Sequence, residues 1–572
     1  MVVTPVPLHR LLPPIAHPAA SGPDDVSARS QATAESRRLR ILFVVEPGPL
    51  LRFALLIPAL AERGHQIHIA FSLGANWKRA EEGASTALPP RTTALVEELC
   101  SRFPQVSYGF APQRPDSDGW WQVAWIVRGL ADLAHGANPR YAGAEVLRRR
   151  TRKRILGRLR ASGEFEPVGR RLALRVGRRL SSKTDARLYR SVSRLAARLE
   201  DAIPTSGEID RYVRKLAPDL VLATGMVRHV SCEVELLKSA RRLGIPSGTF
   251  VASWDNLTNK GSLKFTPERV FVWNEVQVRE AVELHGIPRE RVRTTGAHLF
   301  DEWFERSPSR SREELLGPLG LDPAQPYIVY LCSSRNIART GEVEFIRRWI
   351  GALRSSGDER LRGFNVVVRP HPNVALAADE VEAGVERVAV WPAQGVHPIA
   401  AQARADFFDT LAHSAAVIGI NTTAMIEGAI LGKSVLTVLV SEFAQKTTLH
   451  FHSLLAENGG FLHVAANLED HVEQLGRVLD EDAVGADRRL RFVESFVRPG
   501  GLDVPAAPIA AVAIEELAEL PVQAGMRPGT RLLRLALSLE VGLNTAYRLY
   551  QGLRGRLPRH RNLALGPRET TG

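Results

Sequence analysis

The sequence predicts an α/β protein built as two tandem, doubly wound, Rossmann-like domains, with a basic helical insertion in the first and a basic helical tail. Three observations carry this. Strand-like apolar runs alternate with helical stretches in two successive blocks, one opening at Arg40–Val45 (RILFVV) and the other at Tyr327–Leu331 (YIVYL). Residues 415–438 spell a complete parallel βαβ unit: an apolar run, the polar turn Asn421-Thr422-Thr423, a helical segment bearing Glu427, Gly432-Lys433, and a second apolar run. Finally, 572 residues exceed one core at about 150 residues per domain.

Taken in order, residues 1–39 are rich in Pro, Ala and Ser, lack a secretory apolar core, and read as a disordered lead-in. Arg40–Val45 is a first buried strand, followed by the turn Glu46-Pro47-Gly48. A helical run over 50–63 should kink at Pro58 and end at Gly64, and Gln66–Phe71 (QIHIAF) is the next strand. From 143 to 202 leucines and valines recur every three to four residues between arginines, the mark of amphipathic helix. Strands resume at 219–223, 246–252, 269–273 and 292–295, completing a first domain over 40–306. A charged, Pro-containing stretch near 307–326 connects to a second domain over 327–520. Its strands fall at 327–331, 366–368, 388–390, 417–420 and 435–438, with a short last one in 459–464. Residues 521–572 form the basic amphipathic tail.

Composition narrows the class. With 44% hydrophobic and 24% charged residues the chain has the makings of packed globular domains. Cys100, Cys232 and Cys332 are isolated, which fits a reducing compartment and argues against a disulfide framework or a zinc site. No apolar run reaches the ~18–20 residues of a spanning helix, so the expected location is the cytoplasm. The net charge of +13 is concentrated: residues 148–198 hold 18 Lys/Arg against three acidic residues, and 525–572 hold nine Arg against two.

The strand ends carry the chemistry. Residues 365–372 (NVVVRPHP) end a strand-like run with Arg369 and His371, and Asn421, Thr422 and Thr423 follow another. Hydroxyls, an imidazole and a guanidinium at neighbouring strand ends, beside a helix N-terminus, suit a phosphorylated, nucleotide-linked ligand. Ser333, Ser334 and Arg335, in the first turn of the second domain, face the same crevice, where Arg335 could bridge a diphosphate. In the first domain, Trp254-Asp255-Asn256-Leu257-Thr258-Asn259-Lys260 follows a strand, which places Asp255 as a candidate base and Lys260 as a phosphate contact on the acceptor side. His298, after Thr295-Gly296, is a further acceptor-side candidate, and His450 and His452 could close over the donor.

Two α/β units in tandem, with Glu427 shortly before Gly432-Lys433, resemble the GT-B glycosyltransferase superfamily. The helix ending AERGH at His65 is similar to the first helix of many GT-B N-domains. RPHP (369–372) and NTT (421–423) resemble the His-Pro and Ser/Thr motifs of bacterial capsule sialyltransferases, and polyol-phosphate transferases share the layout. The resemblance covers about 40–520. It implies a donor nucleotide in the second domain, an acceptor mostly on the first, Glu427 on the nucleotide ribose, and Glu46 where several inverting members keep their base. His371 would neutralise the leaving phosphate. There is no GxGxxG, no P-loop and no useful DxD, since Asp480-Glu481-Asp482 sits in a polar stretch. Metal-independent transfer without a cofactor is therefore expected, with a nucleotide-sugar as substrate.

The arginine-rich segments fit adsorption to anionic lipid head groups. They carry few aromatics for base stacking, so no nucleic-acid partner is expected. The sequence thus points to a glycosyltransferase at the inner face of the cell membrane, serving a lipid-linked or polysaccharide acceptor in cell-envelope biosynthesis. The alternatives are a CDP-polyol phosphotransferase, a non-hydrolysing sugar-nucleotide epimerase and a non-catalytic nucleotide-binding scaffold.

Overall fold

Strand order is the feature that places everything else. The computed structural model describes residues 37–72, 88–115, 118–161, 165, 167–228, 231–334, 337–338, 341–372, 374, 376–393, 395–396, 401–443, 445, 447–480, 483–522 and 529–553. The first block supplies β1 (Arg40–Val45), β2 (Gln66–Phe71), β3 (Val106–Phe110), β4 (Leu220–Ala223), β5 (Ser247–Phe250), β6 (Arg269–Val272) and β7 (Val292–Thr294). The second supplies β8 (Tyr327–Leu331), β9 (Asn365–Arg369), β10 (Val388–Val390), β11 (Ala416–Gly419), β12 (Ser434–Val438) and β13 (His463–Ala465). They assemble as β3-β2-β1-β4-β5-β6-β7 and β10-β9-β8-β11-β12-β13, parallel throughout. Order therefore reverses between β1 and β4 in one sheet and between β8 and β11 in the other, which makes each sheet doubly wound. The tandem Rossmann-like layout expected from the sequence is the layout found.

Both faces of each sheet are covered, which is why the strands read as unbroken apolar runs. Ile41, Phe43 and Val45 of β1 enter one core while Leu42 and Val44 enter another. In β8, Tyr327, Val329 and Leu331 alternate in the same way with Ile328 and Tyr330.

Some elements differ from the sequence reading. The helix expected over 50–63 is a 3-10 turn, Gly48–Phe53, followed by a helix, Leu56–Glu62. Pro58 sits in the first turn of that helix, where its missing N–H has no partner to lose. Strand β3 carries no continuous apolar signal because it is an edge strand with Tyr108 and Phe110 exposed. The last strand lies at His463–Ala465, with only a single bridge, Leu455 to Leu462, before it.

The basic segment forms three helices, Glu145–Ala161, Pro167–Ser182 and Ala186–Ala202, which pack with Trp120–Gly136 around Leu133, Leu156, Leu159 and Phe165. The tail helix, Thr530–Leu553, joins the same module. Its Leu537 and Val541 lie against Val123, Ala124 and Val127, and Arg534 Nε donates to Ala202 O at 2.8 Å. Buried charges fix the module to the first domain. Arg128 bridges Glu200 (2.7 Å) and Glu235 (2.6 Å), while Lys238 meets Glu200 at 2.9 Å and Arg114 meets Glu235 at 2.8 Å. Each carboxylate faces two cations, and that offsets the desolvation of the group.

The helix Ala506–Ala518, which the sequence reading counted with the second domain, returns to the first sheet. Ala510, Ile514 and Leu517 share a core with Phe43, Phe250 and Phe271. Gly248 of β5 permits this approach, since a β-carbon there would fall 2.7 Å from Phe271 and 2.9 Å from Leu517. Asp301 accepts from the N–H groups of Ala506 (2.9 Å) and Ala507 (2.8 Å) and pairs with Arg498 at 3.1 Å. Glu515 is clasped by Arg63 at 2.7 Å and lies 2.9 Å from His65 Nε2. The described residues from Leu39 onward belong to one compact unit.

Candidate functional site

Rossmann-type sheets offer their ligand crevice beyond the carboxyl ends of the strands, at the point where strand order reverses. Here the carboxyl ends of the two sheets meet. Trp254 Nε1, after β5, donates to Thr423 Oγ1, after β11, at 3.1 Å. Thr258 Oγ1 lies 3.3 Å from His450 Nδ1, and the His450 ring stands edge-on to Trp254 with centroids 4.6 Å apart. Trp254 also enters the core of the second domain, together with Trp273.

On the first-domain side, the turn after β1 presents Glu46, whose carboxylate lies 2.6 Å from Arg228 Nη1 in the turn after β4. Burial raises the Glu46 pKa above 4.5, although Arg228 and Lys260 oppose the shift. Asp255 is the reverse case. Burial opposes its ionisation, but Lys260, His450 and Arg52 outweigh this and hold the carboxyl well below its ordinary range. Asp255 in turn supports the charge of Lys260, while burial and the nearby Arg228, Arg150 and Arg52 bring that ammonium below the usual lysine value. Arg52 comes from the 3-10 turn after β1 and is anchored on Ala252 O at 2.9 Å. Arg150, from the helical module, donates to Asn259 O at 2.6 Å. Glu46, Asp255 and Lys260 are therefore brought together, and three arginines that the sequence reading did not single out stand with them. Arg228 had a readable signal, being a charged residue in the turn directly after a buried strand. Arg52 and Arg150 had none, because only tertiary packing brings them here.

On the second-domain side, Ser333 is fully buried. Its N–H donates to Glu342 at 2.8 Å and its hydroxyl accepts from Asn421 N at 3.4 Å, tying the turns after β8 and β11 together. Asn421 Nδ2 donates to Thr448 Oγ1 at 2.9 Å. Ser334, His371, Thr422 and Thr423 are partly exposed along the same edge of the sheet. Burial lowers the His371 pKa below 6.5, and the His371 carbonyl lies so close to Gly395 that no β-carbon would fit there. Glu427 lies one turn into the helix Ala424–Ile430, and its carbonyl accepts from the Leu431 N–H at 3.2 Å. Burial pushes its carboxyl up to about 8, with Arg369 opposing.

Several expectations are corrected. Arg369 is a buried strap: Nη2 meets Asp406 at 3.0 Å, Nη1 meets Thr410 Oγ1 at 2.9 Å, and the guanidinium lies over Phe407. The last residue of β9, it is buried with both terminal nitrogens engaged within the second domain. His298 does not line the acceptor side; its ring is enclosed by Phe53 and Phe250, and burial takes its pKa down to about 4. The helix after Asn421-Thr422-Thr423 is only seven residues long, too short for a substantial end dipole, and the Thr423 hydroxyl serves Trp254 instead of capping it. Arg335 lies outside the described residues. His450 is buried in the interdomain contact, with its pKa drawn down to about 4 by burial, whereas His452 is partly exposed. Among the described residues, no three His, Cys, Asp or Glu side chains converge as metal ligands would.

No protein-family model and no curated protein matches this chain. The solved structures similar to it include these three. One is a UDP-GlcNAc 2-epimerase from Neisseria meningitidis bound to UDP-GlcNAc, at 11% identity over 84% of this chain and 100% of that one, with a TM-score of 0.46. Another is the UDP-GlcNAc 2-epimerase of Methanocaldococcus jannaschii, at 10% identity over 83% and 99%, with a TM-score of 0.43. The third is a glycosyltransferase from Rickettsia africae, at 11% identity over 84% and 99%, with a TM-score of 0.45.

Proposed function

We propose that the protein transfers a sugar from a nucleotide-activated donor to a lipid-linked or polysaccharide acceptor of the cell envelope, without a metal ion. One observation carries this reading: the carboxyl ends of both sheets meet at the Trp254–Thr423 contact, with carboxylates and cations on one side and hydroxyl, amide and imidazole groups on the other. The donor diphosphate would lie along Ser334, His371, Asn421 and Thr422. The Glu427 carboxyl, neutral near pH 7, would hydrogen-bond a ribose hydroxyl as donor as well as acceptor.

Glu46 is a better base than Asp255, because a carboxyl with a raised pKa accepts a proton more readily than one held ionised by Lys260 and Arg52. As the bond from the sugar's anomeric carbon to the phosphate oxygen breaks, the acceptor oxygen would bond to that carbon and pass its proton to Glu46. The nucleoside phosphate leaves as an anion. Arg228 and Lys260 would steady that charge, and the surplus of cations over carboxylates also suits an acceptor that itself carries phosphate.

The test is turnover of UDP-, GDP-, CDP- and CMP-linked sugars with and without a lipid-phosphate acceptor. Transfer that requires the acceptor supports the reading. Release of CMP from a CDP-polyol, turnover of a UDP-sugar without acceptor, or tight binding with no turnover would each replace it, with a phosphotransferase, an epimerase or a scaffold respectively.

A further inference from the structure

The tail helix Thr530–Leu553 is apolar on two opposite faces. Leu537 and Val541 pack into the helical module, while Leu532, Leu535, Leu539, Leu543 and Tyr550 fall on the other side at spacings of three, four, four and seven. The four leucines of that outer stripe are 54–75% exposed, and the stripe runs ~27 Å at 1.5 Å per residue. A run of outward leucines this long is far more than the scattered apolar residues of an ordinary surface.

A second, basic stripe lies beside it. Gly169 of the helix Pro167–Ser182 sits so close to the Glu540 carboxylate of the tail helix that a β-carbon would not fit, so the two helices touch. On the helix Pro167–Ser182, Val168 and Leu172 are 58% and 59% exposed, and Arg175 and Arg179 continue the same face at i+7 and i+11.

We propose that the outer faces of these two helices form a membrane-docking surface for a bilayer rich in anionic lipid, with the leucine stripe entering the acyl boundary and the arginines meeting head-group phosphates. Charge decides the occupant. A second copy would match the leucines but bring only more arginines to the interface, whereas an anionic bilayer complements both the leucines and the arginines. Arg150 of the same module reaches Asn259 at the crevice, so the module that carries the docking face is tied directly to the first-domain side of the site. This deepens the membrane-facing part of the proposed function but is independent of donor chemistry, which is read in solution without lipid.

The experiment is co-sedimentation of the full chain with vesicles of phosphatidylcholine alone or with a third phosphatidylglycerol, alongside its mass by light scattering. Variants are L535E with L539E, and R175E with R179E; all four side chains are exposed, and unchanged thermal unfolding confirms the fold. The expected result is binding to the anionic vesicles only. Each double variant should weaken that binding at least tenfold, and added salt should weaken it for the wild type. Equal binding by wild type and variants, no binding by the wild type, or a wild-type dimer that L535E with L539E turns into monomers would overturn the proposal.

Discussion

Glu46 and Glu427 are two carboxyls set apart by burial in different surroundings, and both make separable predictions. Glu46→Gln should lower kcat/KM by ~10²–10⁴-fold while donor affinity holds. In the wild type, activity should rise with pH through the Glu46 pKa, which lies above 4.5. Kinetics of both forms check this, and a variant that keeps full activity would remove Glu46 from the proton transfer. Glu427 carries a folded pKa of about 8 against 4.5 in the open chain. The stability of its neutral form is fully present below pH 4.5 and is lost as pH rises through 8. Glu427→Gln should therefore unfold with the wild type at pH 5 and at a higher temperature than the wild type at pH 9; an equal gap at both would show that the carboxyl is not held neutral. At this scale the sequence was informative where a candidate residue lies in the turn after a strand, as Glu46, Asp255, His371 and Asn421 do. It misplaced Arg369 and His298, because nothing local tells whether a side chain beside a strand end faces the crevice or the flank. For Arg369, Asp406 and Thr410 decide the matter; for His298, Phe53 and Phe250 do.

Among elements, the central strands were legible because a parallel sheet covered on both faces demands unbroken apolar runs. Edge strand β3 and the helix Trp120–Gly136 were not, the first because half its side chains meet water, the second because its arginine, aspartate and histidine are buried among partners distant in sequence. The helix Ala506–Ala518 looks like any apolar helix in the sequence, yet its partners are Phe43, Phe250 and Phe271 of the first sheet. It couples the end of the second domain to the core of the first. Leu517→Ala should accordingly cost about 2–5 kcal/mol in denaturant unfolding, the range for emptying a buried leucine site. A loss below about 0.5 kcal/mol would show that the helix does not contribute to that core.

Across the whole molecule, the repeat of one winding plan is what makes a shared site possible: two reversals of strand order, with the ends of both sheets joined through Trp254 and Thr423. The tandem plan could be read from the alternation of apolar runs and helices alone. How the insertion and the tail join into one module could not, since their partnership rests on contacts such as Val541 with Val123 that no periodicity encodes. The central claim is that a nucleotide-linked anion occupies the second domain's strand ends. Its most direct test is calorimetric titration of UDP-, GDP-, CDP- and CMP-linked donors into the wild type, His371→Ala and Glu46→Gln. One class of donor should bind the wild type and Glu46→Gln alike and bind His371→Ala at least tenfold more weakly. Binding that His371→Ala leaves unchanged, or no binding of any donor, would contradict it.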